Sequence, residues 1–179
     1  MVCGWSLSGL VVAMNPSAWI SQHAHTLMPG SVIDIAAGSG RHAFLFADLG
    51  FQVTAVDINP EVAAMYSDTS IAFENLDLED SQWPLCGQQF DVVLVSNYLY
   101  RPHLPALIQL VAPEGHLLYE TFGLGNERYG KPSNPNFLLK QHELASTLGS
   151  QFLILDETFE EVTDPTPAVR AGIFARRLK

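Results

Sequence analysis

Glycines and carboxylates alternate with apolar residues in two short stretches whose spacing suits the binding of a nucleoside. Residues 32–42 read Val-Ile-Asp-Ile-Ala-Ala-Gly-Ser-Gly-Arg-His, which predicts a strand, a glycine turn and the start of a helix. A second apolar run, residues 53–57, ends on Asp57 about twenty residues after the turn. Glycine lets the backbone approach a ligand where a Cβ would clash, and a carboxylate at a strand tip can accept both ribose hydroxyls. These residues predict a βαβ unit that binds a cofactor with an adenosine-like end.

Apolar runs and turn residues alternate along the chain and predict the elements that must position this unit. Strands are predicted at residues 32–35, 51–56, 71–73, 90–95, 115–122, 151–161 and 168–178. Helices are predicted at residues 15–27, 40–49, 104–111 and 137–148, and a further helix opens at Asn59. The alternation predicts an α/β fold, a Rossmann-like doubly wound sheet of seven strands with helices on both faces. The sheet is expected to be mostly parallel with an antiparallel last strand, because no helix separates the two closing strands.

The charge balance restricts the possible partners. The 179 residues carry a formal net charge of −10, which repels phosphate backbones. We therefore expect a small-molecule substrate and neither nucleic acid nor a membrane as partner. A small basic cluster near the C-terminus is expected to be a solvated strand edge and tail; it consists of Arg170, Arg176, Arg177 and Lys179.

Cysteine and histidine usage bears on compartment and metal binding. The two cysteines, Cys3 and Cys86, form no Cys-x-x-Cys pair, so we expect a reducing, cytoplasmic environment and no cysteine-based zinc site. Of the six histidines, only His23 and His25 are close in sequence, and their spacing points them to different sides of a helix. No metal site is predicted.

Residues 1–13 differ from the rest of the chain. They are apolar and rich in Gly and Ser, and they contain no Lys or Arg. A signal peptide begins with positive residues and a membrane span needs about twenty apolar residues, so neither is predicted. Met14 is followed by Asn15-Pro16-Ser17, which is typical of a helix start. We therefore predict an N-terminal extension at residues 1–13 and a single domain at residues 14–179.

The glycine turn distinguishes between two kinds of cofactor. Dinucleotide-binding turns usually carry Gly-x-Gly-x-x-Gly against a pyrophosphate, whereas this chain has Ala36-x-Gly38-x-Gly40 followed by Arg41-His42. Asp34, just before the turn, would repel a pyrophosphate but suits an ammonium or sulfonium group. S-adenosylmethionine carries both cations and no phosphate, so these residues favour it over NAD.

Together these motifs resemble the class I S-adenosylmethionine-dependent methyltransferases over residues 15–179. The matching segments are residues 34–41 (the glycine loop), 53–57, 75–79, 90–98 and 113–118. Within the superfamily, the chain resembles small bacterial stand-alone methyltransferases of the tellurite-resistance type. It departs from the family pattern at Ala36, which replaces the first loop glycine. Residues 97–100 also lack the Asn/Asp-Pro-Pro-Tyr signature of amino-directed DNA methyltransferases, which argues against a DNA substrate.

The resemblance implies direct displacement of a methyl group from S-adenosylmethionine onto a small molecule or metabolite. It assigns cofactor contacts to the glycine loop, the strand tips and the loop after the third strand: Asp34, Ala36, Gly38, Gly40, Arg41, His42, Asp57, Ile58, Asp77, Leu78, Ser96, Asn97 and Tyr98. Two other interpretations stay open at this point. One is a non-catalytic module that binds S-adenosylmethionine, and the other is an NAD-dependent oxidoreductase.

Candidate catalytic residues follow the fourth and fifth strands, because open sheets bind ligands outside the carboxyl ends of their strands. They are Tyr98, Glu120 and, as a general base, His103. Candidate acceptor contacts lie on the first helix, after the fourth strand and in the long loop after the fifth: Trp19, Tyr100, Arg101, Asn126, Glu127, Tyr129 and Asn134. The competing interpretation of these residues is structural, with Trp19 packing its helix on the sheet and the loop residues making turns.

Overall fold

A computed structural model describes residues 15–179, so the predicted extension at residues 1–13 lies outside the described part of the chain. The strands are β1 (Ser31–Ile35), β2 (Gln52–Asp57), β3 (Ala72–Asn75), β4 (Phe90–Ser96), β5 (Val111–Phe122), β6 (Phe152–Val162) and β7 (Ala168–Arg177). They form one seven-stranded sheet in the order β3-β2-β1-β4-β5-β7-β6. The strands β1 to β5 are parallel, and β7 lies antiparallel between β5 and β6. The predicted sheet and its antiparallel last strand are confirmed.

The central strand β4 shows why the sheet needs cover on both faces. Val92 to Val95 are all buried, and successive side chains point to opposite faces. Val93 and Val95 belong to one core cluster, whereas Val92 and Leu94 belong to the other. A continuous apolar run of this kind suits a parallel strand with helices above and below it.

Helices supply that cover. They are α1 (Ala18–Ala24), α2 (Arg41–Asp48), α3 (Leu104–Gln109) and α4 (Glu143–Leu148). The helices α1 and α2 bury Ile20 and Phe46 in the cluster of Val92, while α3 and α4 bury Leu107 and Leu144 in the opposite cluster. Helices on both faces are therefore confirmed. No helix within residues 15–179 has the length and apolarity needed to cross a membrane.

Two predicted helices differ from the structure. The helix that opens at Asn59 is a 3-10 helix, Pro60–Met65, and the predicted helix 137–148 is reduced to α4. The backbone before α4 is held in another conformation, because the Arg101 guanidinium donates to the carbonyl oxygens of Asn136 and Leu138. Those carbonyls are thereby engaged by a side chain from outside the segment.

Candidate functional site

A cavity of about 250 Å³ lies at the carboxyl ends of β1 and β4. These two strands are neighbours at the point where the strand order reverses, which is the ligand-binding position of open α/β sheets. The lining residues come from β1, the glycine loop, the start of α2 and the end of β4: Asp34, Ala36, Ala37, Gly38, Ser39, Arg41, His42, Ser96 and Asn97. The structure thus brings together seven of the predicted cofactor residues.

One side of the glycine loop packs against Tyr66, and the other side is open to the cavity. A Cβ added at Gly38, whose φ is 53°, would meet no atom within 4 Å, whereas one at Gly40 would lie 2.9 Å from the Tyr66 ring. The Tyr66 hydroxyl donates to the Gly38 carbonyl at 3.0 Å, and its ring stacks between Phe44 and Phe73. Tyr66 therefore fixes the loop while leaving its cavity side free. Sequence reasoning missed Tyr66, which stands outside the motifs.

Ala36 takes the place of a glycine in backbone conformation as well as in sequence. Its φ of 55° lies in the left-handed region, where a Cβ crowds the following carbonyl oxygen. This conformation costs about 1–2 kcal/mol for a residue other than glycine. The turn at the cavity is therefore strained, as residues at ligand sites often are.

Asp34 is buried beside the cavity without a partner for one oxygen. Its residue is 2 % exposed, and its Oδ2 has no hydrogen-bond partner within residues 15–179. Burial raises the pKa of this carboxyl from 3.8 to about 7, although the Ala43 N–H and the Arg41 charge act to lower it. A buried carboxyl with a free oxygen costs free energy until a cation or a donor reaches it. The position suits a ligand cation, as the sequence predicted.

Arg41 places a guanidinium in the same cavity. Its Nη2 donates to the Ser96 hydroxyl at 3.1 Å, which is its one side-chain hydrogen bond in the described part of the chain. Burial lowers the pKa of Arg41, as does the nearby Arg170 charge, while Glu120 and Asp34 raise it. Arginine has five N–H donors, so most of this fork stays available to a ligand anion.

His42 lines the cavity but uses its ring to hold α1. The Ser17 N–H donates to His42 Nε2 at 3.0 Å, and Ser17 in turn caps the helix with its hydroxyl. Burial lowers the pKa of His42 to about 3, and the charges of Arg41 and Arg170 add to the effect. The imidazole is therefore neutral at physiological pH. Its contribution to the site is to place the start of α1 against the cavity.

Asp57 ends β2 and braces the glycine loop. Its two carboxylate oxygens accept the N–H groups of Gly38 and Asn59, both at 2.8 Å. Each oxygen keeps a further lone pair, so the carboxylate can still accept ribose hydroxyls. Ile58 follows with a 62 % exposed side chain, and the Asn75 amide holds the backbone carbonyls of Asp57 and Ile58 at 2.9 Å. An exposed apolar side chain beside the acid suits the flat face of a base.

The two predicted cofactor contacts in the loop after β3 differ in exposure. Asp77 is exposed, and its Oδ1 accepts the Glu79 N–H at 2.8 Å. Leu78 is buried in the core, 4 % exposed, so its side chain packs under the sheet rather than facing a ligand. A contact from Leu78 to a cofactor would have to come from its backbone.

Tyr98 and His103 lie outside the cavity lining. The Tyr98 side chain packs against the core cluster, and its buried hydroxyl has no partner within residues 15–179. Burial raises the pKa of Tyr98, and the charge of the nearby Glu79 raises it further. His103 Nε2 lies 2.7 Å from the Asp80 carbonyl oxygen, and its ring stands beside Trp83 and Tyr100. The Asp80 carbonyl therefore accepts from the Nε2–H group, and Nδ1 is the ring nitrogen that keeps its lone pair. Neither side chain lines the cavity, and their catalytic roles stay predictions.

Glu120 belongs to an ion pair that the sequence did not predict. Its Oε2 accepts from Arg170 Nη2 at 2.8 Å, and the two side chains are 6 % and 13 % exposed. Arg170 Nη1 also donates to Asn97 Oδ1 at 2.8 Å. Arg170 therefore lies beside the cavity and is not the solvated strand residue that we expected, because β7 runs antiparallel next to β5 and sets Arg170 opposite Phe122.

The predicted acceptor contacts on α1 and after β4 have structural partners. Trp19 Nε1 donates to Asp156 Oδ2 at 3.0 Å, and the Trp19 ring packs over Gly172 of β7. Arg101 pairs with Glu143 at 2.6 Å and, with its remaining donors, binds carbonyls of the loop before α4. Tyr100 lies beside His103. The structure supports the packing interpretation of Trp19 and gives Arg101 the role of a clamp.

The loop after β5 also uses its polar side chains internally. Asn126 is 1 % exposed, donates to the Pro132 carbonyl and accepts the Val169 N–H. Glu127 and Asn134 accept backbone N–H groups two residues away, and the Tyr129 hydroxyl donates to Glu161. These contacts match the turn-forming interpretation. The structure does not bring any of the four to the cavity.

The groups that remain free around the cavity fit the parts of S-adenosylmethionine. The unpartnered Asp34 oxygen suits an ammonium, and the free N–H groups of Arg41 suit a carboxylate. The open side of Gly38 allows close approach of a ligand, and Asp57 with Ile58 suits an adenosine.

Comparison with known proteins agrees with this assignment. A family model described as a methyltransferase domain matches residues 32–114. The solved structure of TehB from Haemophilus influenzae superposes with a TM-score of 0.74 at 17 % identity, over 90 % of this chain and 62 % of that one. The 1,6-didemethyltoxoflavin-N1-methyltransferase of Burkholderia thailandensis, solved with S-adenosylhomocysteine, gives 0.65 at 20 % identity, over 96 % and 82 %. At these identities the two structures establish the fold.

A curated sequence relative matches a shorter segment. The ribosomal RNA small subunit methyltransferase J of Shewanella loihica is 49 % identical over 49 residues, which are 27 % of this chain and 19 % of that protein. The chain therefore spans less than two thirds of TehB and a small part of this relative. The methyltransferase-domain match covers the part of the chain that holds β1 to β4, and the fold of the chain is that of the solved methyltransferase structures.

Proposed function

We propose that the protein transfers a methyl group from S-adenosylmethionine to a small molecule that binds next to Ser96 and Asn97. The observation that carries the proposal is the buried, unpartnered Oδ2 of Asp34 in a cavity whose glycine loop is open. Asp34 and Arg41 together bind the two charged groups of an α-amino acid. Asp57 and Ile58 bind the adenosine on the other side of the loop.

The role of the chain in this reaction is alignment. The cofactor supplies a methyl group on a sulfonium, which is already a good leaving group. The residues of the cavity would hold the cofactor next to the acceptor, and alignment of two reactants can lower a barrier by up to about 7–11 kcal/mol. His42, the lining histidine, accepts the Ser17 N–H with its Nε2 and takes no proton from the acceptor. We therefore assign no general base and infer an acceptor that offers a lone pair.

A small acceptor fits the charge of the chain. The net charge of −10 opposes approach of a polyanion, and the protein of Burkholderia thailandensis with this fold was solved with the small molecule 1,6-didemethyltoxoflavin. The absence of a Cys-x-x-Cys pair in the sequence supports work in the reducing cytoplasm.

Ribosomal RNA is the second candidate acceptor. The segment shared with the ribosomal RNA methyltransferase J favours it, since 49 % identity over 49 residues is high for this superfamily fold. The acidic surface speaks against it, because RNA binding draws on clustered Lys and Arg. An NAD-dependent activity is disfavoured by Asp34, whose carboxylate would repel a pyrophosphate.

Calorimetry and labelled transfer test the proposal. We expect S-adenosylhomocysteine to bind and NAD not to bind, and Gly38→Val to abolish binding because its side chain enters the open space of the cavity. The protein is then given S-adenosylmethionine with a tritiated methyl group, once with a small-molecule extract and once with ribosomal subunits. Label in small molecules supports the proposal, and label in ribosomal RNA replaces it by the second candidate. Binding without any transfer would identify a non-catalytic module.

A further inference from the structure

Three strands converge on Asn97, the residue that follows β4. Asn97 has a φ of 56°, a left-handed conformation that asparagine tolerates better than most residues. Its backbone N–H donates to the Glu120 carbonyl of β5 at 3.0 Å. Its side-chain Oδ1 accepts from Arg170 of β7 at 2.8 Å. Both the backbone and the side chain of this cavity residue are therefore held by neighbouring strands.

Arg170 is itself rigidly placed. Its second Nη group pairs with Glu120 at 2.8 Å, and its guanidinium lies 4.6 Å from the centre of the Phe122 ring. The side chain is 13 % exposed, so the pair is screened little by water. The planar fork of arginine can bridge a carboxylate and an amide at once, which the single ammonium of lysine does less well.

The hydrogen bond from Arg170 to Asn97 is not required to neutralise the Arg170 charge. Glu120 alone neutralises the partly buried Arg170 charge, whereas Asn97 is exposed and lines the cavity. With Oδ1 occupied, the Asn97 Nδ2 group presents two N–H donors that have no partner within residues 15–179. An amide free to rotate would offer either its oxygen or its nitrogen to a ligand.

We infer that Arg170 is a positioning residue that fixes the Asn97 carboxamide with its N–H donors toward the ligand. The carboxamide then lies at the end of the cavity next to Ser96, where the proposed function puts methyl transfer and which we call the methyl end. The inference rests on the proposed function for the identity of that ligand. It implies that the atom facing Asn97 carries a lone pair, as the nucleophilic atom of an acceptor does. Arg170 acts through Asn97 and does not itself touch the reacting atoms.

The first experiment observes Asn97 directly in the ligand-free, full-length protein labelled with ¹⁵N. Loss of a signal in Asn97→Ala assigns the side-chain amide. Arg170→Lys keeps a positive charge opposite Glu120 but removes the Nη1 group, which donates to Asn97. The matched control is Arg176→Lys on the same strand, where the arginine is 40 % exposed and 3.9 Å from Glu114. We expect Arg170→Lys to shift the Asn97 amide signals and Arg176→Lys to leave them in place; unchanged signals in Arg170→Lys overturn the inference.

The second experiment uses S-adenosylmethionine carrying ¹³C in its methyl group. We expect the bound methyl signal to move in Arg170→Lys and in Asn97→Ala, and to stay in place in Arg176→Lys. If the methyl signal stays in place in both Arg170→Lys and Asn97→Ala, the placement of Asn97 at the methyl end is wrong. If Arg170→Lys does not fold, Arg170→Gln takes its place. If the original protein does not bind the probe, the proposed function fails, while the ligand-free amide signals still decide the role of Arg170.

Discussion

Two polar regions at the edge of the sheet use their side chains in opposite ways. In the cavity, one Asp34 oxygen has no partner in the described chain and Arg41 makes a single side-chain hydrogen bond. In the loop after β5, residues 123–142, Asn126 bonds with both its amide nitrogen and its oxygen. Arg101, which clamps that loop from outside, is engaged by Glu143 and two backbone carbonyls.

The difference separates groups that build the fold from groups that await a ligand. A buried polar group without a partner costs about 1–3 kcal/mol, so it persists where a ligand supplies the missing partner. A polar group with all its partners inside the chain has little left to offer a substrate. Residue type alone does not distinguish the two regions, since both are rich in glycine and polar side chains.

The largest effect on cofactor affinity is expected from Asp57→Ala. The substitution removes the acceptor for the Gly38 and Asn59 N–H groups and the proposed acceptor for the ribose. We expect the affinity for S-adenosylhomocysteine, measured by calorimetry, to fall by about 2–3 kcal/mol, roughly 30- to 150-fold. The control is Glu127→Ala in the loop, which also removes a carboxylate that accepts a backbone N–H. Equal losses of affinity in the two variants would show that the cavity and the loop after β5 do not differ in cofactor binding.

Asp34→Asn should change how both stability and binding depend on pH. The carboxyl has its pKa raised to about 7, so the folded state holds this proton more tightly than the unfolded state, where the pKa is near 3.8. The stability contributed by the protonated group is complete below pH 4 and is lost as the pH rises through 7. We expect Asp34→Asn to be more stable by about 2–4 kcal/mol at pH 8 and equally stable at pH 4, by urea unfolding.

The same substitution removes a pH dependence of binding. Because the ionised Asp34 is the form that attracts an ammonium, we expect affinity for S-adenosylhomocysteine to rise about tenfold from pH 6 to pH 8. Asp34→Asn should bind weakly and without this rise. A rise of the same size in the variant would assign the titration to another group.

The sequence predicted the sheet and the cofactor half of the site because both are encoded locally. The apolar runs define strands one at a time, and the spacing of Asp34, Gly38 and Gly40 lies within one turn. The helix predicted at residues 137–148 was shortened by a partner from elsewhere, Arg101, which is 35 residues from Asn136 in the chain. Helical periodicity carries no information about such a contact.

Other contacts that hold the site depend on pairs of residues that are distant in sequence. Arg170 is separated by 73 residues from Asn97 and by 50 from Glu120, and Tyr66 is separated by 28 from Gly38. The proximity of Arg170 to Asn97 and Glu120 follows from strand order and register, above all from the place of β7 beside β5. A basic residue near the C-terminus therefore looked solvated, although its strand places it next to the cavity.

Arg101→Met tests the loop side of the comparison. The substitution removes the bonds to Glu143 and to the carbonyls of Asn136 and Leu138. Because the side chains of the pair are 34 % and 19 % exposed, water screens part of the interaction, and we expect a loss of about 1–2 kcal/mol in the free energy of unfolding. Affinity for S-adenosylhomocysteine should be unchanged. A loss of binding larger than the loss of stability would give Arg101 a place in the site after all.

Ala36→Gly is expected to have the smallest effect and tests the strain in the glycine loop. Glycine removes the crowding at a φ of 55° but gives the unfolded chain more freedom, and the two terms are each about 1 kcal/mol. We therefore expect a stability within about 0.5 kcal/mol of the original. In the adjacent Ala37→Gly, glycine relieves no crowding, because Ala37 is not among the residues with positive φ. This variant gains only the extra freedom of the unfolded chain, so its free energy of unfolding should fall by about 0.5–1 kcal/mol. The difference between the two variants in urea unfolding measures the strain that Ala36 holds at the cavity, and equal losses would show that the loop carries none.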